Sequence, residues 1–244
     1  MINYKITIQY DGTEYRGWQF QPQEKTVQGE IERALLQIFK LDEVNLIGSG
    51  RTDSGVHANK QVANFKVETN MQSDQIMRAL NSKLNNDIII SSCKEVSDSF
   101  NSRFSAINRE YKYYINYLKT PFSRNYVWTI DWGINSSYLV DCAKEIEGEH
   151  EFEYFSKSSS ETKNKLCNVV SSKWEFQNEG MVFTISSNRF LQHMVRYLVG
   201  TMVEVARGRY SIANFIDLLH NEGTKSVVKA PAHGLYLNRV EYEE

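Results

Sequence analysis

The run Gly48-Ser-Gly-Arg-Thr-Asp-Ser-Gly-Val-His57 gathers a carboxylate, a guanidinium and three glycines within ten residues. Glycines open backbone angles closed to other residues and let another molecule approach closely. Arg51 stands two positions before Asp53, where a guanidinium can pair with the carboxylate, or with a phosphate, in a planar bidentate geometry. A cation at that distance lowers a carboxylate pKa by about 1–3 units, so Asp53 is ionised at neutral pH if Arg51 lies beside it. Such a carboxylate can serve as a nucleophile, a metal ligand or a structural cap. Asp and Gly also favour turns whatever their function. On residue chemistry alone, the structural and catalytic roles of Asp53 stand about level.

The elements that must position this loop follow from periodicity. Tyr4, Ile6, Ile8 and Tyr10 alternate as in a strand. Thr26 offers an N-cap to a helix with Val27, Ile31, Leu35 and Ile38 on one stripe. Strand-like runs at 44–49 and 61–67 flank the glycine-rich loop, Ser73 can cap a helix to about residue 85, and 87–96 reads as a strand. The order is β-α-β-β-α-β, and the second half repeats it. Tyr111, Tyr113, Ile115 and Tyr117 alternate, Ser136 or Ser137 caps a helix stopping near Gly148, and 169–177 with 181–187 form a hairpin. A long helix over 188–206, a shorter one over 211–220 and a strand over 235–242 complete it. The expected fold is α+β, with two ferredoxin-like halves, residues 1–104 and 105–244, sharing a mostly antiparallel sheet around a central cleft.

Composition sets wide bounds. Of 244 residues, 41% are apolar and 24% charged, enough for a buried core. No apolar run approaches the roughly 20 residues that span a bilayer. Cys93, Cys142 and Cys167 lie far apart without a Cys-x-x-Cys pair, which speaks against a zinc site or disulfide framework and fits a reducing cytoplasm. His150, His220 and His233 show no metal-ligand spacing. The net charge of −2 does not point to nucleic acid, but the charge is segregated. Arg103, Arg109, Lys112, Lys119 and Arg124 face a single acid, Glu110, between residues 100 and 125. Six acids against Lys144 follow over 141–153. Such a chain can present a basic face to phosphates. The hydrophilic stretch 156–165 reads as a solvated loop.

The string Gly50-Arg-Thr-Asp-Ser-Gly-Val-His-Ala58 closely resembles the catalytic signature of the tRNA pseudouridine synthase A (TruA) family. Four further blocks resemble that family in the same order: Tyr10–Gln19 with Thr26-Val-Gln28, Phe100–Ala106 with Arg109–Tyr113, Gln192–Gly200, and Ala232–Leu237. Five blocks across the chain are far more specific than one motif. The resemblance implies that Asp53 is the catalytic nucleophile, acting covalently while the uracil–ribose bond is broken and remade through carbon. It implies substrate-binding roles for Tyr111, whose ring can stack on an unstacked base, and for Arg196, the partner of the catalytic aspartate. On a helix over 188–206, Arg196 shares a face with Gln192 and His193. Arg51 and Arg103 are candidate phosphate contacts, and Trp18 and Gln19 support the first turn. His57 shapes the loop or contacts RNA.

The resemblance further implies uridines at tRNA positions 38–40 in the anticodon stem-loop, a homodimer with one tRNA touching both subunits, no metal or organic cofactor, and no membrane association. Two rivals remain at this point. A non-catalytic RNA-binding module would carry an RNP-type aromatic strand signature, which the chain lacks. A hydrolase acting on a glycosidic bond normally needs a second carboxylate, and none accompanies Asp53 in its loop.

Overall fold

A computed structural model describes residues 1–157 and 163–243. In chain order the elements are β1 (Ile2–Tyr10), α1 (Val27–Phe39), β2 (Ile47–Gly48), β3 (His57–Val67), α2 (Ser73–Lys83), β4 (Ile88–Val96), β5 (Ala106–Asn116), β6 (Trp128–Thr129), α3 (Ser136–Glu145), β7 (Gly148–Glu151), β8 (Leu166–Gln177), β9 (Gly180–Ser187), α4 (Met194–Ala206), α5 (Ile212–Leu219) and β10 (Leu235–Tyr242). The chain is therefore α+β, and its strands pair mostly antiparallel. It divides into two compact units, Met1–Ile107 with the chain from Leu237 onward, and Asn108–Tyr236. The last strand, which periodicity assigns to the second half, thus contributes most of its residues to the first unit.

In the first unit the strand order is β4-β1-β3-β10, with β2 paired to β3. β1 is antiparallel to both β3 and β4, and its alternating Tyr4, Ile6, Ile8 and Tyr10 are all buried. Tyr4 stacks on Phe65 of β3 at 5.8 Å between ring centroids. α1 starts where Thr26 Oγ1 accepts the Gly29 N–H at 3.3 Å, and ends at Lys40, whose φ is 53°. Its buried stripe is Val27, Ile31, Ala34 and Leu35. α2 begins one residue earlier than its hydroxyl suggests: Gln72 holds the cap position, with its N–H donating to Gln75 Oε1 at 2.8 Å. The strand expected over 44–49 shrinks to Ile47–Gly48, and side chains bond the carbonyls at its start. Gln28 donates to Leu46 O, and Ser102 Oγ donates to Ile47 O.

In the second unit the order is β5-β9-β8-β7, with β6 running parallel to β5. α3, capped by Asn135 through Ser137 N–H, packs on α4, α5 and β8. Gly148 does not end a helix but opens β7 with φ 101°. α4 is buried nearly all round, including Glu204, whose carboxylate meets Arg207 at 3.2 Å and Arg209 at 3.4 Å. The helix expected over 188–206 starts only at Met194. Asn188 is tied to β8 by its N–H to Asn168 O and its Oδ1 from Asn168 N–H, and His193 has φ 68°, closed to a helix interior. Of the stretch read as a solvated loop, residues 158–162 lie outside the described residues. At its ends Ser156 and Lys165 are buried, and the Lys165 carbonyl accepts the Phe152 N–H at 3.1 Å.

Candidate active site

The loop between β2 and β3 is fastened along most of its length. Ser49 N–H continues the pairing to Val62 O at 2.8 Å, and its hydroxyl meets Gln61 Oε1 at 2.6 Å. Gln61 Nε2 in turn donates to Gly50 O at 2.9 Å. The Thr52 hydroxyl meets the Tyr10 hydroxyl at 2.8 Å, both residues being buried, and Thr52 O accepts the Trp18 N–H at 3.1 Å. Gly55, with φ 78°, donates to Tyr15 O, and Val56 N–H turns back to Asp53 O at 3.1 Å. Within this cage Arg51 and Ser54 are exposed and Asp53 is half-buried. The loop thus presents a guanidinium and a carboxylate on either side of one anchored threonine.

Glycines outside the loop make that anchoring possible. A Cβ on Gly17, whose φ is 90°, would lie 2.5 Å from Thr52 O. One on Gly48 would lie 2.4 Å from Trp18 Nε1, and one on Gly12 only 2.0 Å from Val56 O. Trp18 is therefore a wedge under the loop, packed against Gly48 and 6.1 Å from the Tyr10 ring. Gln19 is exposed. Sequence reasoning assigned Trp18 to the first turn but missed its hold on Thr52, and read Tyr10 as a strand residue without its bond to the Thr52 hydroxyl. The clue was their place in the Tyr10–Gln19 block.

His57 has a structural role here. It is 2% exposed, and its Nδ1 accepts the Gly12 N–H at 3.1 Å. Asp11 Oδ1 also lies 3.2 Å from Nδ1. One ring nitrogen cannot accept from an amide and donate to a carboxylate at once. Asp11 Oδ1 already accepts from Thr13 N–H and Oγ1, at 2.9 and 2.6 Å, so the Gly12 bond is the one the geometry supports. Asp11 is a second carboxylate at the base of the signature, engaged in its own turn.

In the second unit, Tyr111 and Tyr113 project from the same face of β5. Tyr111 is 8% exposed and packs edge-on against Phe190 at 5.0 Å. Tyr113 is fully buried and donates to Pro231 O at 2.8 Å, so it is a sheet aromatic with a structural bond. Burial pushes its phenol well above the ordinary range, a rise that the nearby Arg196 charge partly offsets.

Arg196 is half-buried on the first turn of α4, where Nε donates to Ala230 O at 2.9 Å and its own carbonyl accepts the Ala230 N–H at 3.0 Å. The segment 228–230 can lie this close because a Cβ on Gly200 would sit 2.2 Å from Val228 O. Thr201 Oγ1 accepts the Val228 N–H at 3.1 Å and fixes the same crossing. Gln192 and His193 precede the helix, so they do not share its face with Arg196. Arg103 is exposed with its guanidinium 5.4 Å from the Phe104 ring. Among the described residues no cluster of three His, Cys, Asp or Glu could hold a metal ion, and no helix is long and apolar enough to cross a membrane.

Comparison with known proteins accounts for this layout. A family model described as tRNA pseudouridine synthase matches residues 6–105 and 142–243. The tRNA pseudouridine synthase A of Brachyspira hyodysenteriae is 41% identical over 250 residues, covering all of both chains. That of Dictyoglomus turgidum is 40% identical over 247 residues, and that of Thermoanaerobacter sp. (strain X514) 38% over 245, each covering 99% of this chain and all of the relative. With the signature loop and its supporting glycines spanned by these matches, the chain belongs to the tRNA pseudouridine synthase A family of isomerases.

Proposed function

We propose that this protein isomerises uridine to pseudouridine in the anticodon stem-loop of tRNA, at positions 38–40, with Asp53 as the catalytic nucleophile. The observation that carries the reading is the signature loop itself. It is anchored through Thr52, Gly55 and His57, with Arg51 exposed and Asp53 half-buried between those anchors. Anchoring of that kind is what a reactive carboxylate needs, because a displacement of about 1 Å can cost on the order of 100-fold in rate.

In the proposed reaction the bond between N1 of uracil and C1′ of ribose breaks, with Asp53 acting covalently in the interval. The base turns, a new bond joins C5 to C1′, and the C5 proton moves to N1 through solvent or a protein group. Substrate and product are isomers, so the balance needs neither oxidant nor group donor. Arg51, exposed beside Asp53, binds a phosphate in bidentate fashion. Tyr111 and Arg196 bind the substrate from the second unit, Tyr111 by contact with the base. Extracting a paired uridine costs a few kcal/mol, which backbone contacts must offset. We also infer a homodimer working in the cytoplasm. Three buried thiols suit a reducing compartment, and pairing two chains enlarges the basic surface available to one tRNA.

The test is to incubate the purified protein with unmodified tRNA transcripts, then map pseudouridine by carbodiimide labelling and primer extension. New stops confined to the anticodon arm are expected. Release of free uracil would identify a hydrolase instead, and binding without either product would leave an RNA-binding module.

A further inference from the structure

Between Glu110 and Asp131 the chain carries no acid, and the connection from β5 to β6 holds Lys119 and Arg124. In that connection Phe122 is 90% exposed and Leu118 67%. The ring does not hang on a slack segment. Phe122 N–H donates to Thr120 Oγ1 at 3.1 Å, and the Arg124 guanidinium turns back to Pro121 O. The Tyr126 and Val127 amides both donate to Ser123 O, at 2.9 and 3.1 Å, and the Tyr236 hydroxyl fastens Tyr126 O at 3.0 Å. Burying a phenyl ring is among the larger gains open to a folding chain. A hydrogen-bonded turn that holds one in water, in a stretch of chain with two cations and no acid, is built for a partner.

We propose that residues 118–126 form a contact for the tRNA substrate, with Phe122 stacking on an unstacked base while Lys119 and Arg124 meet flanking phosphates. Every base offers a face to an aromatic ring, and phosphates supply the charge that the two cations lack. A second copy of this chain is the weaker fit. In a two-fold contact the same patch faces itself, which sets like charges against each other. This inference rests on the tRNA-modifying reading above and adds a contact which that reading does not assign.

The experiment measures binding of fluorescently labelled, unmodified tRNA by anisotropy over a range of salt, with sedimentation to follow oligomeric state. Phe122→Ala, at a solvent-exposed position, is expected to weaken binding roughly 5- to 150-fold, the range of a lost base stack, while Phe122→Trp stays near wild type. Lys119→Ala and Arg124→Ala are each expected to lower the slope of log affinity against log salt by about 1. If the wild type forms pseudouridine in tRNA but Phe122→Ala binds unchanged, the contact is refuted and the functional reading stands. If Phe122→Ala instead splits a dimer with tRNA affinity per protomer intact, the surface is a subunit interface and the inference is overturned. If the wild type neither binds nor modifies tRNA, the functional reading falls and this contact with it.

Discussion

Removing the hydroxyl of Tyr10 tests whether the signature loop is held from beneath. That hydroxyl meets Thr52 Oγ1 at 2.8 Å in a buried setting, one residue from Asp53. Tyr10→Phe leaves the Thr52 hydroxyl without this partner, at a cost of about 1–3 kcal/mol for a buried polar group. Thr52→Val removes the same bond from the Tyr10 side, at a similar cost of about 1–3 kcal/mol. The double variant removes both groups and pairs two apolar surfaces, which can be nearly neutral. With the double variant near neutral, the cycle should therefore show a coupling energy of about 2–6 kcal/mol, the sum of the two single costs. Urea unfolding of the four proteins measures it, and single-turnover pseudouridine formation at saturating tRNA measures the consequence for chemistry. Tyr10→Phe is expected to slow the chemical step while leaving tRNA affinity in place, since it moves the carboxylate rather than a binding group. Additivity within about 0.5 kcal/mol, or an unchanged single-turnover rate, would refute the idea that this bond positions Asp53.

Two further outcomes follow from the geometry. Gly17→Ala should cost about 1–3 kcal/mol from its positive φ alone, with more from a Cβ 2.5 Å from Thr52 O, whereas Gly50→Ala, with nothing within 4 Å, should stay within about 0.5 kcal/mol in the same urea assay. Burial, helped by neighbouring acids, pushes the Cys142 thiol up to about 12 and Cys93 to about 11, and burial alone lifts Cys167 to about 11. These values exceed the ordinary 9.0, so the folded chain keeps protons that the unfolded chain releases. The stability they contribute is whole below pH 9 and is lost as pH rises through 11 to 12. At pH 8, iodoacetamide should leave all three thiols unlabelled in the folded protein and label all three in urea, as read by mass spectrometry. Rapid native labelling of Cys142 would contradict this.

The parts legible in the sequence were those encoded locally. The alternation of Tyr4, Ile6, Ile8 and Tyr10 marks a strand because one face is buried, and Thr26 marks a helix start because its hydroxyl reaches an amide three residues on. The limits of β10 could be read directly for the same reason. The start of α4 could not, because the residues before it are held by distant partners, Asn188 by Asn168 and Phe190 by Tyr111, and His193 then leaves helical backbone space. β6 and β7 are too short to carry a periodic signal. For the site, the signature string exposed Asp53 and Arg51, but not what holds them. The wedge of Trp18 on Gly48 and the crossing of Val228 over Gly200 are contacts between distant segments, and in sequence they show only as glycines inside motifs.

The central claim is that Asp53 does the chemistry rather than shaping a turn. The most direct measurement is single-turnover conversion of an unmodified tRNA transcript by Asp53→Asn, with tRNA affinity measured on the same preparation. The account predicts no detectable pseudouridine in the anticodon arm and an affinity close to wild type. Pseudouridine formation by Asp53→Asn at a rate near wild type would contradict it.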